Sequence, residues 1–320
     1  MTEPGTVLLE RPERPGRRAR RPVPTRARSL PRGLLSTARP RQWVKNTLVA
    51  AAPAAAGELD SLHNAGRLAI VFLLFTAAAA AVYLVNDARD AEADRAHPVK
   101  CRRPVAAGEV PVPVAHAAAA LLAAVAVGGA ATLCGAMTGA LLTAYLSMQL
   151  AYCIWLKHVL VVDMAVVTTG FLLRAMIGGV ALGIPLSRWF LITTGFGALF
   201  MVAAKRYSEA VQMAGGKGAT RALLTEYTTG YLRFVWQLAA GVAVLAYCLW
   251  ALESGGADDR SLLPWRQLSM IAFILAVLRY AVFADRGTAG APEDVVLRDR
   301  ALAVIGLVWA AMYALAVAGL

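Results

Sequence analysis

The chain has 320 residues, of which 58% are hydrophobic and only 16% are charged, and its mean hydropathy is +0.57. Soluble domains are typically ~45–50% apolar and ~25% charged, so this composition excludes a largely disordered chain, a nucleic-acid-binding domain and an ordinary cytosolic enzyme. It indicates a polytopic membrane protein. The formal net charge of +12 comes mostly from the first 46 residues, where 12 Lys and Arg face three Glu, and a basic tail suits an anionic membrane surface.

Residues 1–36 form the first distinct segment of the chain. They are rich in Arg and Pro and contain no apolar run, so they cannot bury enough apolar surface to fold. We therefore expect a disordered cytoplasmic arm over 1–36, followed by a single transmembrane catalytic domain over 37–320.

Apolar stretches long enough to cross a bilayer, which takes ~20 residues, fill the rest of the sequence. The first is the weakest, because Lys45, Asn46 and Pro53 interrupt it. The sequence thus predicts an all-α polytopic membrane protein with about nine transmembrane helices. The predicted spans are 42–59, 66–86, 113–133, 138–156, 159–183, 188–204, 231–252, 264–284 and 301–320.

The positions of Lys and Arg predict the orientation in the membrane. Basic residues concentrate in the arm and in the segments that follow every second span, whereas the loops of the other side contain only Arg260. This asymmetry predicts a cytoplasmic N-terminus and an external C-terminus in the cell membrane. Most clustered polar residues also fall in the cytoplasmic loops. That favours an enzyme at this interface over a transporter, which more often carries polar groups at the bilayer midplane.

An acidic motif at 86–94 ends the second span and reads Asn-Asp-Ala-Arg-Asp-Ala-Glu-Ala-Asp. Asn86, Asp90 and Asp94 are four residues apart, so on a helix they drift ~40° per step and line one face. Like charges at this spacing repel, and oxygen ligands suit Mg²⁺ or Mn²⁺ rather than zinc. Mg²⁺ typically binds through one or two carboxylates plus substrate phosphates. The motif therefore predicts a divalent-metal site, for Mg²⁺ or Mn²⁺, that takes a phosphate or diphosphate ligand. The candidate ligands are Asn86, Asp87, Asp90 and Asp94; the alternative is an acidic helix end solvated by the cytoplasm.

A basic loop at 97–108 follows the acidic motif directly and contains Lys100, Arg102 and Arg103. Cations beside a metal site can complete the neutralisation of a polyphosphate. Membrane topology alone explains one or two of these cations, but it explains the whole basic loop less readily. The loop therefore strengthens the prediction of a phosphate site.

These motifs resemble the UbiA superfamily of membrane prenyltransferases. The resemblance covers about residues 38–320 and is carried by 39–46 (Arg-Pro-Arg-Gln-Trp-Val-Lys-Asn), 83–94 and 100–108. It implies a UbiA-type helical bundle around a cavity that opens laterally to lipid. It also implies that the 86–94 motif holds Mg²⁺ and the donor diphosphate in an active site on the cytoplasmic side.

The sequence departs from the aromatic prenyltransferases of that superfamily after the sixth span. Where those enzymes have a second Asp-rich motif, 203–210 reads Ala-Ala-Lys-Arg-Tyr-Ser-Glu-Ala, which suits additional phosphate rather than a phenol or quinone ring. Further stretches, among them 149–158 and 292–300, resemble the branch of actinobacterial phosphoribosyltransferases that act on decaprenyl phosphate in arabinan biosynthesis. This resemblance implies transfer of phosphoribose from 5-phosphoribosyl 1-diphosphate (PRPP) to a long polyprenyl phosphate for the arabinogalactan of the cell wall, with release of diphosphate.

Two phosphate-bearing substrates require several cations. Arg174 is notable because it lies well inside the fifth span, where an unpaired charge is expensive, and Asp163 on the same span is its candidate partner. Three of the candidates also have simpler explanations. Lys45 would extend its amine from the apolar region to the membrane surface, Lys157 would only mark the cytoplasmic side, and Tyr83 would be one of the aromatic residues of the membrane interface. The candidate catalytic residues are Asp87, Asp90 and Asp94. The candidate substrate-binding residues are Lys45, Tyr83, Lys100, Arg103, Lys157, Arg174, Lys205, Arg206 and Tyr207.

Two other functions remain open at this stage. One is a UbiA-type prenyltransferase that moves a prenyl group from a prenyl diphosphate to an aromatic acceptor, and the other is a transporter or lipid flippase. The expected partners are PRPP, polyprenyl phosphate and membrane lipid, and no nucleic acid. The sequence leaves open the acceptor chain length, the number of metal ions and the oligomeric state, a homo-oligomer included.

Overall fold

The structure is a computed structural model that describes residues 29–59, 61–214, 222–253 and 263–318. The described residues form helices joined by turns and loops and contain no strand, which confirms the predicted all-α class. The α-helices are α1 (Leu30–Thr37), α2 (Ala51–Ala56), α3 (Leu62–Arg89), α4 (Ala91–Ala96), α5 (Val112–Leu133), α6 (Ala136–Ile154), α7 (Val162–Leu182), α8 (Arg188–Ala214), α9 (Thr229–Glu253), α10 (Trp265–Asp285), α11 (Pro292–Arg298) and α12 (Arg300–Ala318). The 3₁₀ helices are Pro40–Ala50, Lys100–Arg102, Leu156–His158 and Ala222–Thr225.

Seven of these helices are long and apolar enough to cross a membrane, namely α3, α5, α6, α7, α9, α10 and α12. The other two predicted spans take different forms. The segment 42–59 divides between the 3₁₀ helix Pro40–Ala50 and α2, where Pro53 cannot donate a backbone hydrogen bond. The segment 188–204 lies in α8, whose apolar part is soon followed by Lys205 and Arg206. The structure therefore establishes a multi-pass helical architecture with seven candidate spans.

Most of the predicted arm, residues 1–28, lies outside the described residues. Residues 30–36, which the sequence places in the arm, are helical in α1. Pro31 lies in the first turn of this helix, where a missing N–H costs nothing, and Leu34 packs against the apolar core. Thr37 is 1% exposed and donates a hydrogen bond to the carbonyl of Gly33 at 2.9 Å.

The apolar interior is divided into two clusters of buried side chains. The first joins α3, α5 and α6, with Phe75 against Tyr145 at a ring-centroid distance of 4.5 Å. The second joins α8, α9 and α10, with Phe200 against Tyr280 at 5.4 Å. Helix α7 contributes to both clusters, so it is the element that connects the two halves of the bundle.

Helix α7 approaches the 3₁₀ helix Pro40–Ala50 very closely. A Cβ atom at Gly178 would lie 1.8 Å from the carbonyl oxygen of Val49, so only glycine fits there. Small residues of this kind let helix backbones approach each other within a membrane. This contact brings Asn46 of the 3₁₀ helix against the buried face of α7, where Arg174 lies.

Candidate active site

The three aspartates of the predicted motif lie at the junction of α3 and α4. Asp90 follows the last residue of α3, with φ −84° and ψ 0°. Its amide still bonds to the carbonyl of Asn86 at 3.0 Å, and the amide of Asp94 bonds to the carbonyl of Asp90 at 2.8 Å. Helical spacing is therefore preserved across the junction. We call Asp87, Asp90 and Asp94 the acidic cluster.

One guanidinium joins two members of the acidic cluster. Arg103 Nη1 lies 3.2 Å from Asp87 Oδ1 and 2.7 Å from Asp94 Oδ2. These two aspartates are 2% and 3% exposed. They are seven residues apart, so on a helix their side chains point in directions only ~20° apart. This angle is smaller than the one between Asn86 and Asp94, which are eight residues apart. The structure therefore pairs Asp87, rather than the predicted Asn86, with Asp94.

Arg39 is a second cation on Asp87 and was not among the predicted site residues. Its Nη2 lies 2.7 Å from Asp87 Oδ1, and its guanidinium carbon lies 4.7 Å from the centroid of the Tyr83 ring. The backbone of Arg39 has φ +54°, a left-handed conformation that is uncommon for a residue other than glycine. The available signal was the position of Arg39 at the start of the 39–46 stretch that carries the family resemblance.

Two lysines contact the remaining carboxylates. Lys157, in the 3₁₀ helix after α6, places its Nζ 3.1 Å from Asp90 Oδ1. Lys100, in the basic loop, places its Nζ 3.9 Å from Asp94 Oδ1. Each aspartate of the acidic cluster thus has at least one cationic partner, and the predicted Lys100, Arg103 and Lys157 all converge on the cluster.

The donor set of the acidic cluster fits a hard divalent cation, because it offers carboxylate oxygens. Among the described residues, no three His, Cys, Asp or Glu side chains converge closely enough to hold an ion by themselves. Mg²⁺ commonly binds through one or two carboxylates together with substrate phosphates. The guanidinium of Arg103 already lies between Asp87 and Asp94, so positive charge is favourable at this point.

Arg174 is buried inside α7, 8% exposed, and its partners are neutral oxygens. Its Nε donates to Asn46 Oδ1 at 3.1 Å, its Nη1 to the carbonyl of Gly170 at 2.8 Å and its Nη2 to the hydroxyl of Tyr145 at 2.8 Å. Its guanidinium also lies 5.1 Å from the centroid of the Phe75 ring. The predicted pairing with Asp163 is therefore wrong, since three helical turns separate the two residues by ~16 Å.

Asn46 is the residue that links Arg174 to the first part of the chain. Its Nδ2 donates to Thr76 Oγ1 at 3.0 Å, while its Oδ1 accepts from Arg174. Lys45, the neighbouring candidate, is half-buried on the same 3₁₀ helix. The sequence showed Asn46 as a polar interruption of an apolar stretch and as the last residue of the 39–46 stretch, and it was not assigned to the site.

A second charged group lies in the C-terminal half of α8. Arg206 is 6% exposed and places its Nη2 3.3 Å from Asp163 Oδ2 and its Nη1 3.2 Å from Glu209 Oε2. Lys205 lies 3.9 Å from Glu209 Oε1. The hydroxyl of Tyr207 accepts a hydrogen bond from Arg233 at 2.6 Å. The true partner of Asp163 is therefore Arg206.

The end of α6 lies between the two charged groups. Cys153 interacts electrostatically with Lys157 and Asp90, and the side chain of its neighbour Tyr152 is hydrogen-bonded to Arg206. The predicted site residues thus fall into the acidic cluster with its cations, the Arg206 group beyond α6, and Arg174 deeper in the bundle.

Comparison with known proteins identifies the family of this chain. The chain matches the UbiA prenyltransferase family over residues 46–292. It is 48% identical over 295 residues to the decaprenyl-phosphate phosphoribosyltransferase of Mycobacterium tuberculosis, an alignment that covers 91% of this chain and 96% of that protein. The protein of the same name from Corynebacterium glutamicum is 46% identical over 287 residues, with coverage of 88% and 86%.

The fold is similar to a solved UbiA homologue from Archaeoglobus fulgidus bound to GPP and Mg²⁺. The TM-score is 0.65 at 16% sequence identity, and the match covers 90% of this chain and 99% of the other. At this identity the similarity establishes the fold alone.

Proposed function

The chain belongs to the UbiA prenyltransferase family, and from that premise we propose that it is a decaprenyl-phosphate phosphoribosyltransferase. It transfers 5-phosphoribose from PRPP to decaprenyl phosphate and releases diphosphate. The observation that carries this proposal is the 48% identity to the mycobacterial enzyme along nearly the full length of both chains. The product serves the synthesis of arabinan precursors for the cell wall.

The acidic cluster and its cations are proposed as the donor diphosphate site. Mg²⁺ held there together with the diphosphate would neutralise the charge that develops on the leaving group. Arg39 and Arg103 contact the cluster carboxylates at 2.7 Å, so their remaining donors are placed to hold phosphate oxygens beside it. Lys100 and Lys157 add two further positive charges at the same place. This arrangement supports catalysis by positioning and charge stabilisation.

The reaction needs little further help from an acid or a base. The bond from the anomeric carbon to the diphosphate oxygen breaks, and an oxygen of the acceptor phosphate forms the new bond. By analogy with glycoside cleavage, the transition state is oxocarbenium-like. A phosphate monoester with a second pKa near ~6 is largely a dianion at neutral pH, so no strong general base is required. Tyr83 is proposed to contact the ribose or a phosphate oxygen near Asp87.

The other cations are proposed to serve the remaining phosphates. Arg206, with Lys205 and Tyr207 beside it, lies across the end of α6 from the acidic cluster. Arg174 is buried and donates its hydrogen bonds to an amide oxygen, a backbone carbonyl and a hydroxyl, all of them neutral. A buried cation of this kind favours an anionic ligand nearby. Lys45 lies next to Asn46, the partner of Arg174, and is assigned to the same group.

For the membrane arrangement we propose that residues 37–320 form one catalytic domain with nine crossings. Seven are the candidate helices, and α8 is the eighth. The ninth is formed by the 3₁₀ helix Pro40–Ala50 together with α2. A residue adds ~2.0 Å to the length of a 3₁₀ helix and ~1.5 Å to that of an α-helix, so the two elements together are about 30 Å long, the thickness of the hydrocarbon core of a bilayer. The bundle encloses a cavity open to lipid for the polyprenyl chain. The N-terminus and the active site are cytoplasmic, in agreement with the distribution of Lys and Arg.

A transfer assay tests this function. The purified protein in lipid nanodiscs receives Mg²⁺, PRPP labelled in the ribose and decaprenyl phosphate, and the label in the organic phase is measured. We expect label in lipid, lost with EDTA and reduced at least ~100-fold by Asp87→Asn, because a metal ligand is removed. Glu92→Gln is the matched control, since Glu92 is an exposed acid on α4, and it should retain activity.

A second arm of the assay distinguishes the alternative function. It offers geranyl diphosphate and an aromatic acid in place of the two phosphoribosyl substrates. Prenyl transfer in this arm, with no label transferred from PRPP, would reject the phosphoribosyltransferase and assign the protein to the aromatic prenyltransferases of the family.

A further inference from the structure

A tyrosine that belongs to none of the groups above, Tyr227, lies where α7 begins. It follows the 3₁₀ helix Ala222–Thr225 in the connection between α8 and α9, and it is 8% exposed. Its hydroxyl accepts a hydrogen bond from the amide of Val161 at 2.5 Å and donates one to Asp163 Oδ1 at 2.6 Å. The single proton of this hydroxyl is therefore committed to the carboxylate.

The backbone at Val161 is strained where Tyr227 holds it. Val161 has φ +68° and ψ −45°, and positive φ in a β-branched residue is a genuine outlier. Such a conformation persists only where the surrounding structure imposes it, and it is frequent at functional sites. The hydrogen bond from the Val161 amide to Tyr227 is one such constraint at the start of α7.

The carboxylate held by Tyr227 is the partner of Arg206. Asp163 is 1% exposed, and its second oxygen lies 3.3 Å from Arg206 Nη2. Glu209 contacts Nη1 of the same guanidinium at 3.2 Å. Arg206 Nε, by contrast, is buried and has no hydrogen-bond partner within the described part of the chain. A buried donor without a partner is costly, and a phosphate oxygen is a strong acceptor for an arginine N–H.

We propose that Tyr227 is a positioning residue for the phosphoribosyl transfer. Its hydroxyl orients the Asp163 carboxylate, and Asp163 orients Arg206 so that the Nε–H is presented to a phosphate oxygen of one of the two substrates. This inference rests on the proposed function. Arg206 makes the contact with the substrate, whereas Tyr227 acts only through Asp163.

The protonation of Tyr227 suits this role. Burial and the hydrogen bond to Asp163 both raise the pKa of Tyr227 above its ordinary value of ~10. The hydroxyl therefore remains a donor to Asp163 throughout the neutral pH range, in which the acceptor phosphate is largely ionised.

Tyr227→Phe is the test substitution, because it removes the hydroxyl and keeps the ring. Tyr231→Phe is the matched control. Tyr231 stacks on Tyr227 with a ring-centroid distance of 5.8 Å and is 37% exposed, so it loses a hydroxyl of the same kind close by. Initial rates of label transfer from PRPP to decaprenyl phosphate are measured with each substrate varied in turn. Thermal unfolding is measured on the same samples.

We expect Tyr227→Phe to raise the KM of one of the two substrates about tenfold and to leave the other KM within about twofold. The reason is that Arg206, no longer oriented by Asp163, loses its hydrogen bond to the phosphate of one substrate only. Tyr231→Phe should leave both values within about twofold. In an Arg206→Lys background, Tyr227→Phe should have little further effect, because residues that act through one another are not additive. If Tyr227→Phe does not fold, Asp163→Asn takes its place with the same expectations.

Three results would overturn the inference. They are a fall in thermal stability with both KM values unchanged, a change in kcat alone, and full additivity with Arg206→Lys. A protein that transfers no phosphoribose in its unaltered form would instead reject the proposed function. An active protein in which Tyr227→Phe behaves like Tyr231→Phe rejects the positioning role and leaves the proposed function intact.

Discussion

Replacing Arg103 by Ala removes the guanidinium between Asp87 and Asp94. The two carboxylates are 2% and 3% exposed, so they lose a partner where water replaces it poorly. Asp87 retains Arg39 at 2.7 Å and therefore loses less than Asp94. A hydrogen bond to a charged group contributes ~1.5–3 kcal/mol net. Because the Arg103 side chain is 28% exposed, we take the lower part of that range and expect a loss of about 2 kcal/mol.

Thermal unfolding in nanodiscs measures this loss with EDTA and again with Mg²⁺ and diphosphate. In EDTA the Tm should fall by about 5 °C. With Mg²⁺ and diphosphate the fall should be less than half as large, since another cation then neutralises Asp87 and Asp94. Arg102→Ala, at the exposed neighbouring position, is the control and should change little. An equal fall of the Tm in both conditions, or no fall in EDTA, would refute the reasoning. Arg103 would then not be the group that neutralises Asp87 and Asp94 when no metal ion is bound.

Three further predictions concern other parts of the bundle. Arg174→Lys retains the charge but loses the hydrogen-bond donors to Asn46 and Tyr145. Transfer activity should therefore fall at least ~10-fold, while the Tm falls by only a few degrees. Unchanged activity would exclude a role of Arg174 in the active site. Gly178→Ala places a Cβ 1.8 Å from a backbone carbonyl of the 3₁₀ helix Pro40–Ala50 and should lower the free energy of unfolding by about 1–3 kcal/mol. Gly241→Ala is the control and should leave stability unchanged, because nothing lies within 4 Å of a Cβ at that position. Equal Tm values for the two variants would contradict the close approach of α7 to the 3₁₀ helix. The pKa of Tyr227 is raised in the folded state, so the stability that its hydroxyl contributes is complete below the unfolded pKa of ~10 and is lost as the pH rises toward the folded pKa. The Tm difference between wild type and Tyr227→Phe should therefore shrink above pH ~10. A constant Tm difference would argue against a hydroxyl that donates to Asp163.

Local features of the structure could be predicted from the sequence because they depend on composition and spacing. The apolar stretches predicted a helical membrane protein, and seven of them form candidate spans. The acidic motif and the basic loop are close in sequence, and Arg103 indeed contacts Asp94. The motif also predicted that Asn86, Asp90 and Asp94 lie on one helical face. Backbone hydrogen bonds keep the helical spacing across the α3–α4 junction, but Arg103 joins Asp94 to Asp87.

Contacts between distant segments were decided only by the tertiary structure. Lys157 contacts Asp90 across 67 positions, and Arg174 contacts Asn46 across 128. The Ala- and Gly-rich helices offer many similar surfaces, so a single sequence does not specify which faces pack together. That packing assigned Asp163 to Arg206 rather than to Arg174. The sequence by itself therefore determined the class of protein and the presence of an acidic motif with nearby cations, whereas the packing of α7 between the two halves of the bundle decided which cation serves which oxygen.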